Sequence, residues 1–177
     1  MFNILIALCL FISSSVAHAQ FSFTTNANNT ITITAYGGLG RNAIIPAMTN
    51  GYPVTTIAPG AFLSSSMTNV FIPYTLTNAG INPFENNLEL ATINIDAQNP
   101  LWSSVDGVWF DKDQTTLIRF PEAKSGYTIP DSVTNIGSYA FGLCNNLTNI
   151  IIPNSVSCTG SNIFQGCNIT NLVLRRL

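Results

Sequence analysis

The 177-residue chain carries six basic and eight acidic residues, a net charge of −2, and is 46% hydrophobic but only 8% charged. With no basic stripe to neutralise phosphates, nucleic acid is excluded as an expected partner. The abundance of apolar and β-branched residues excludes an intrinsically disordered chain, and the length suits one domain of ordinary size.

The chain opens MFNILIALCLFISSSVAHAQ. An apolar run from Ile4 to Ile12 is followed by small residues and the A-x-A site Ala17-His18-Ala19, the layout of a secretory signal peptide cleaved after Ala19. No Lys or Arg precedes the run, and its length of about nine residues is well short of the roughly 20 of a spanning helix. A lipoprotein reading at Cys9 is weakened by the bulk of Leu8. Residues 1–19 are therefore set apart as a signal peptide, with the mature chain secreted or held at the cell surface and containing no membrane span. His18 is the sole histidine, so cleavage would leave none.

Residues 20–43 hold FSFTTNANNTITITAY, in which alternating Phe21, Phe23 and Ile31, Ile33 flank the turn-forming NANN. This predicts a β-hairpin.

From residue 44 onward the chain repeats. Ile129-Pro130 recurs as Ile152-Pro153, Ala140-Phe141 as Ile163-Phe164, and Cys144 as Cys167, each 23 residues on. Leu147-x-x-Ile150-x-Ile152 has a partner in Ile169-x-x-Leu172-x-Leu174, and Met67-x-x-Val70-x-Ile72-Pro73 in Leu90-x-x-Ile93-x-Ile95-Asp96. Ala61-Phe62 and Pro83-Phe84 occupy the Ala-Phe place, while Ile45-Pro46 stands 27 residues before Ile72-Pro73, with TNGYP (49–53) as the inserted turn. The segment L-x-x-I-x-I alternates with period two, which predicts a short strand with one buried face. Pro ends that strand because it has no N–H to donate. The G-x-x-A-F segment turns the chain and returns a ring to the interior, and Asn or Ser pairs bend the backbone before the next strand. One such unit cannot bury its own apolar face, whereas stacked units share a continuous core. The expected fold is a β-rich solenoid with one short parallel strand per repeat of about 23 residues, and the 20–43 hairpin is its expected N-terminal cap.

IPDSVTNIGSYAFGLCNNLTNIIIPNSV resembles a leucine-rich repeat of the BspA-like type, found in bacterial and some protist surface proteins. The resemblance runs from about Ile44 to the C-terminus and is best at 129–153; the last copy is degenerate, with Ser157-Cys158-Thr159 in place of T-x-I-G. It implies a right-handed leucine-rich repeat solenoid with a parallel sheet, a role in surface adhesion or recognition, and no catalytic residues.

About residues 97–127 break the period. Val108-Trp109-Phe110 and Leu117-Ile118-Arg119-Phe120 surround Asp111-Lys112-Asp113-Gln114, predicting an inserted hairpin that replaces the Ala-Phe half of a repeat. It holds both tryptophans, Trp102 and Trp109. Their rings either cover the groove between coils or form part of a projecting recognition loop as hot spots.

Chemistry is sparse. Ser–His and Cys–His hydrolases need an imidazole that the mature chain lacks. Three mature cysteines, Cys144, Cys158 and Cys167, do not make a full disulfide framework; Cys144 and Cys167 are expected as buried thiols on adjacent coils, and their spacing matches no usual zinc site. Asp106, Asp111 and Asp113 form a carboxylate cluster, but Lys112 sits within it and Asp is ordinary in turns. No catalytic, cofactor or metal site is expected. Sequons stand at Asn28, Asn146 and Asn168.

The variable strand positions should line the open face: Asn69 and Phe71, Thr92 and Asn94, Asn149 and Ile151, Asn171 and Val173. The first of each pair is small and polar, suited to hydrogen bonding or to an amide ladder. The second is largely apolar, which suits a protein-binding surface. The expected function is a non-catalytic binding or adhesion module for a protein or glycan ligand at the cell surface or extracellular matrix. The alternatives are a structural part of an extracellular assembly, built by end-to-end self-association, and a fragment of a longer array. Arg175 and Arg176 would block an exposed edge at the last strand.

Overall fold

The structure, a computed structural model, describes residues 20–175; the signal peptide expected over residues 1–19 and the edge-blocking role expected of Arg176 lie outside the described residues. The first element is an antiparallel hairpin of β1 (Phe21–Thr25) and β2 (Ile31–Tyr36). The first turns of the coil contain β3 (Asn42–Ile44), β4 (Met48–Thr49), β5 (Tyr52–Ile57), β6 (Asn69–Ile72), β7 (Asn78–Ala79) and β8 (Thr92–Ile95). The period-breaking segment forms β9 (Trp102–Val105), β10 (Val108–Asp111) and β11 (Thr116–Arg119). The last turns contain β12 (Tyr127–Thr128), β13 (Asn135–Ile136), β14 (Asn149–Ile152), β15 (Cys158–Thr159) and β16 (Asn171–Leu174).

Two parallel ladders run along the coil. A front ladder joins β3, β6 and β8, and resumes as β12, β14 and β16. A back ladder joins β2, β5 and β7, and resumes as β11, β13 and β15. Register partners on the front ladder are 27 residues apart between β3 and β6, 23 between β6 and β8, and 22 between β14 and β16. TNGYP accounts for the first of these: Met48 and Thr49 pair antiparallel with Pro53 and Tyr52 in a tight turn.

The repeat logic is visible in the backbone. After Ile72-Pro73, Ile129-Pro130 and Ile152-Pro153 the chain makes the same turn, with Leu76 N donating to Pro73 O, Val133 N to Pro130 O and Val156 N to Pro153 O. The following G-x-x-A-F elbow packs on the elbow one turn earlier. A Cβ on Gly160 would fall 2.3 Å from Ser138 N, and on Gly80 2.5 Å from Pro59 N, so only glycine lets these elbows meet. The third elbow residue is left-handed each time: Asn82 (φ 49°), Tyr139 (φ 57°) and Asn162 (φ 55°).

Inward side chains form two cores. The first contains Phe62, Phe84, Val70, Ile72 and Ile93; the second contains Phe120, Phe141, Ile136, Leu147 and Ile150. Rings stack down each core, with Phe62 and Phe84 centroids 5.2 Å apart, Phe120 and Phe141 5.2 Å, and Phe141 and Phe164 5.3 Å. Each fully buried Ile, Leu or Phe contributes about 1.5–3 kcal/mol of transfer free energy.

β10 divides the two cores. Trp109 joins the first, with its ring 6.0 Å from Phe84, whereas Val108 and Phe110 join the second. All three are at most 1% exposed, so this strand is buried on both faces. The inserted strands thus form a partition across the coil.

The insertion departs from the expected form in two respects. It is a three-stranded meander, because Val105 to Val108 close a second hairpin through Asp106 (φ 51°) and Gly107 (φ 75°). That Asp-Gly turn closes on the front ladder, where Ile93 N donates to Gly107 O at 2.9 Å. Nor does it replace the Ala-Phe half: Leu117 pairs with Ile136 and Phe120 keeps the ring position beside Phe141. Buried Asn99 anchors its start, with Nδ2 donating to Pro73 O and Leu76 O and Oδ1 accepting from Leu101 N and Trp102 N.

Candidate functional site

The outward positions of the front ladder form two columns. In the first, Asn69 Nδ2 donates to Asn42 Oδ1 at 2.8 Å and Thr92 Oγ1 donates to Asn69 Oδ1, so these side chains form an amide–hydroxyl ladder. Asn94 Nδ2 donates to Thr92 Oγ1 at 3.3 Å, and Asn149 Nδ2 to Thr148 Oγ1 at 3.0 Å. Asn149 pairs in register with exposed Asn171.

The second column runs Ile44, Phe71, Asn94 on the first stack and Thr128, Ile151, Val173 on the second. Ile44 is 65% exposed, Phe71 37% and Val173 41%, while Ile151 is half-buried. The apolar stripe is therefore in two parts, separated by Asn94, the Asp106–Gly107 turn and Thr128. Tyr127 borders this gap, and burial, with Asp106 adding to it, raises its phenol to about 12. Asn42, Ile44 and Thr128 join the outward face in addition to the positions expected there. The signal was present, since Asn42-Ala43-Ile44-Ile45-Pro46 aligns with Asn69-Val70-Phe71-Ile72-Pro73, and Thr128-Ile129-Pro130 with Ile151-Ile152-Pro153.

Trp109 corrects the recognition-loop reading of the insertion. It is 1% exposed inside the first core, so its indole is withdrawn from any macromolecular partner. Trp102 is half-buried against it, edge-to-face at 4.9 Å. The meander is held down rather than projected: Lys112 Nζ donates to Ala97 O and Asn99 O. Asp111 is occupied by the turn, accepting from Thr115 N, Thr115 Oγ1 and Thr116 N. Burial works against ionisation there, but these bonds outweigh it and hold the carboxyl below its usual range.

A second feature lies on the back ladder at the partition. Ile57 to Phe62, Ala79 to Phe84, Ile136 to Phe141 and Thr159 to Phe164 each span five residues, but Leu117 to Phe120 spans three. The inserted turn is thus two residues short at its elbow, and a cleft of about 340 Å³ opens between the flanking elbows. Its walls include Ile81, Asn82 and Pro83 on one side and Ser138 and Tyr139 on the other, with Trp102, Trp109, Ile118 and Arg119 between.

Arg119 is 3% exposed, and its guanidinium donates to Tyr139 O at 2.6 Å and pairs with buried Glu122. Glu122 Oε1 also accepts from Asn86 N at 3.1 Å. Burial lifts the Glu122 carboxyl to about 7, against the attraction of Arg119 and the hydrogen bonds it accepts.

Cys144 is buried, Cys167 half-buried and Cys158 exposed, all as free thiols. The thiols of Cys144 and Cys167 interact, and that hydrogen bond, with burial added, raises Cys144 well above its ordinary range.

Residues 41–125 and 123–176 match the model of the BspA type leucine rich repeat region, in six copies. The chain belongs to the BspA-type leucine-rich repeat family. Its fold is similar to the crystal structure of the pneumococcal vaccine antigen PcpA, with TM-score 0.62 and 25% identity over 71% of this chain; the chain spans 32% of that protein's length. It is similar in fold to the T. pallidum leucine rich repeat protein TpLRR, with TM-score 0.54 and 22% identity over 88% of this chain and 79% of that one. A leucine-rich repeat protein from Bacteroides ovatus gives TM-score 0.54 and 21% identity, over 87% of this chain and 39% of that one. Among curated proteins no sequence matches the chain. The BspA-type repeats coincide with the region of ladders and elbows described above, and they contain the partition and its cleft.

Proposed function

We propose that this chain is a secreted or surface-exposed binding module that recognises a protein ligand, or a glycan, at the cell surface or extracellular matrix, and that it does so without catalysis. The observation that supports it is the front ladder's outward column, where Ile44, Phe71 and Val173 stand exposed beside a self-satisfied Asn/Thr ladder. Large apolar side chains in register on a rigid sheet offer contact area at little ordering cost. The likeness to a pneumococcal vaccine antigen supports an extracellular setting, as does the A-x-A-bearing N-terminus.

The test is a binding scan of the purified protein against extracellular-matrix proteins and glycans, beside a Phe71→Asp, Ile151→Asp variant whose melting is checked. A ligand bound by the native face and lost by the variant bears the reading out. Equal binding by both would move recognition off the front ladder.

End-to-end self-association is a second reading, favoured by one observation. Leu172 and Leu174, 46% and 61% exposed, stand in register with Ile150 and Ile152, of which Ile150 is 1% exposed. A further coil, whether of a longer array or of another molecule, would cover them. Concentration-dependent size in solution, abolished by Leu172→Asp, is the expected sign of it.

A further inference from the structure

The cleft at the partition lies on the back ladder, away from the column on which the binding reading rests, and it has its own chemistry. It exists because the inserted turn lacks two elbow residues, so the elbows at Gly80–Pro83 and Gly137–Tyr139 face each other across space that is filled elsewhere in the coil. Among the described residues, four buried side-chain polar atoms have no hydrogen-bond partner: Asn82 Oδ1, Trp109 Nε1, Arg119 Nε and Glu122 Oε2. Three of the four belong to residues of the cleft wall. An unpartnered buried polar group costs about 1–3 kcal/mol, and the cluster of such groups here is what a bound molecule would relieve.

The inventory selects the molecule. Two of the three are N–H donors, one of them on a guanidinium whose remaining nitrogens are engaged by Tyr139 O and Glu122. The remaining wall is apolar, formed by Ile81, Pro83, Trp102 and Ile118. Two donors on residues of one cleft wall, one of them on a cation, favour acceptor oxygens bearing negative charge. The volume is at the small end of ligand sites.

We propose that this cleft binds a small amphipathic carboxylate, with its apolar body between Ile81, Pro83, Trp102 and Ile118 and its carboxylate oxygens toward the N–H groups of Trp109 and Arg119. The donors are themselves buried, so the ligand reaches them by a local adjustment of the wall. Asn82 supplies an acceptor on the facing side.

Both tryptophans of the chain border the cleft, so intrinsic fluorescence reports occupancy directly. Purified protein is titrated with phenylpropionate and octanoate, and with the matching neutral amides. The carboxylates are expected to give a saturable change, and the amides to bind about tenfold more weakly or worse, the loss of one charge-assisted hydrogen bond. Ile81 is 78% exposed on the cleft wall, so its substitution leaves the core intact. Ile81→Asp is expected to weaken carboxylate binding and Ile81→Lys to strengthen it. No saturable change with any probe would overturn the proposal, leaving a water-filled gap. Equal binding of acids and amides, or equal loss in the Asp and Lys variants, would overturn it too and leave an apolar groove with no charge preference.

Discussion

The turn formed by residues 129–152 and the inserted segment 97–127 solve the same problem in opposite ways. The regular turn puts Ile129, Val133, Ile136, Phe141, Leu147 and Ile150 inward and leaves polar side chains outside, and its elbow closes on its neighbour through glycine. The inserted segment buries a strand on both faces, carries a buried ion pair, and leaves polar atoms without partners beside an open cleft. Periodicity gives each regular turn the same inward pattern, whereas the buried ion pair and the double-faced strand lie where the period fails.

Breaking the ion pair should have the largest effect. Arg119→Ala leaves Glu122 buried without its counter-charge and should cost about 3–5 kcal/mol in denaturant unfolding, whereas Arg119→Met with Glu122→Leu should recover most of that loss. Equal costs for the single and double variants would mean that the guanidinium stem, and not the charge, holds the partition.

The same pair gives the inserted segment a pH signature that the regular turns lack. Glu122 has its ordinary carboxyl value near 4.5 when unfolded and about 7 when folded, because burial disfavours the anion. Below 4.5 the group is protonated in both states and costs nothing. As pH rises towards 7 the unfolded chain ionises first, so stability falls across that window and is level above it. A fall on the order of a few kcal/mol is expected in wild-type melting, and Glu122→Gln should flatten the profile. An unchanged slope in that variant would assign the dependence to other groups.

Gly107→Ala probes how the partition meets the front ladder. Its φ of 75° and the 2.9 Å approach of an added Cβ to Thr92 Cβ should together cost about 2 kcal/mol. Gly126, with φ 53° and open space around it, should cost less.

The smallest effect concerns the thiols of the regular region. Cys158 is exposed and should react with a thiol reagent in the native state, while Cys144 should react only after unfolding. Native labelling of Cys144 would mean that the last turns open locally.

Much of this was legible in the sequence, for reasons that can be located. L-x-x-I-x-I-P recurs because each copy must alternate inward and outward on one ladder and then stop, and the front ladder follows from it; the back ladder adds a second short strand to the turns where one strand per repeat was expected. The strands at Asn42–Ile44 and Tyr127–Thr128 were harder to see, since the first lies beyond a longer period and the second follows the insertion. The Asp106-Gly107 turn was a readable hairpin signal, overshadowed by the more polar Asp111–Gln114 loop. Packing of the tryptophan rings against the coils was one of two readings the sequence allowed, but which core each residue joins was not readable, because Val108-Trp109-Phe110 is apolar without alternation and is enclosed on both faces. The two-residue shortfall between Leu117 and Phe120 was countable, but its meaning depends on Leu117 pairing with Ile136, which only the three-dimensional register supplies.

The most direct test of the partition is acrylamide quenching of the Trp102→Phe variant, in which Trp109 is the sole emitter. A blue-shifted emission that resists quenching until the protein unfolds is expected for an indole enclosed between Phe84 and the strand bearing Val108 and Phe110. A red-shifted, freely quenched emission in the folded protein would contradict it, and would return the insertion to a projecting loop.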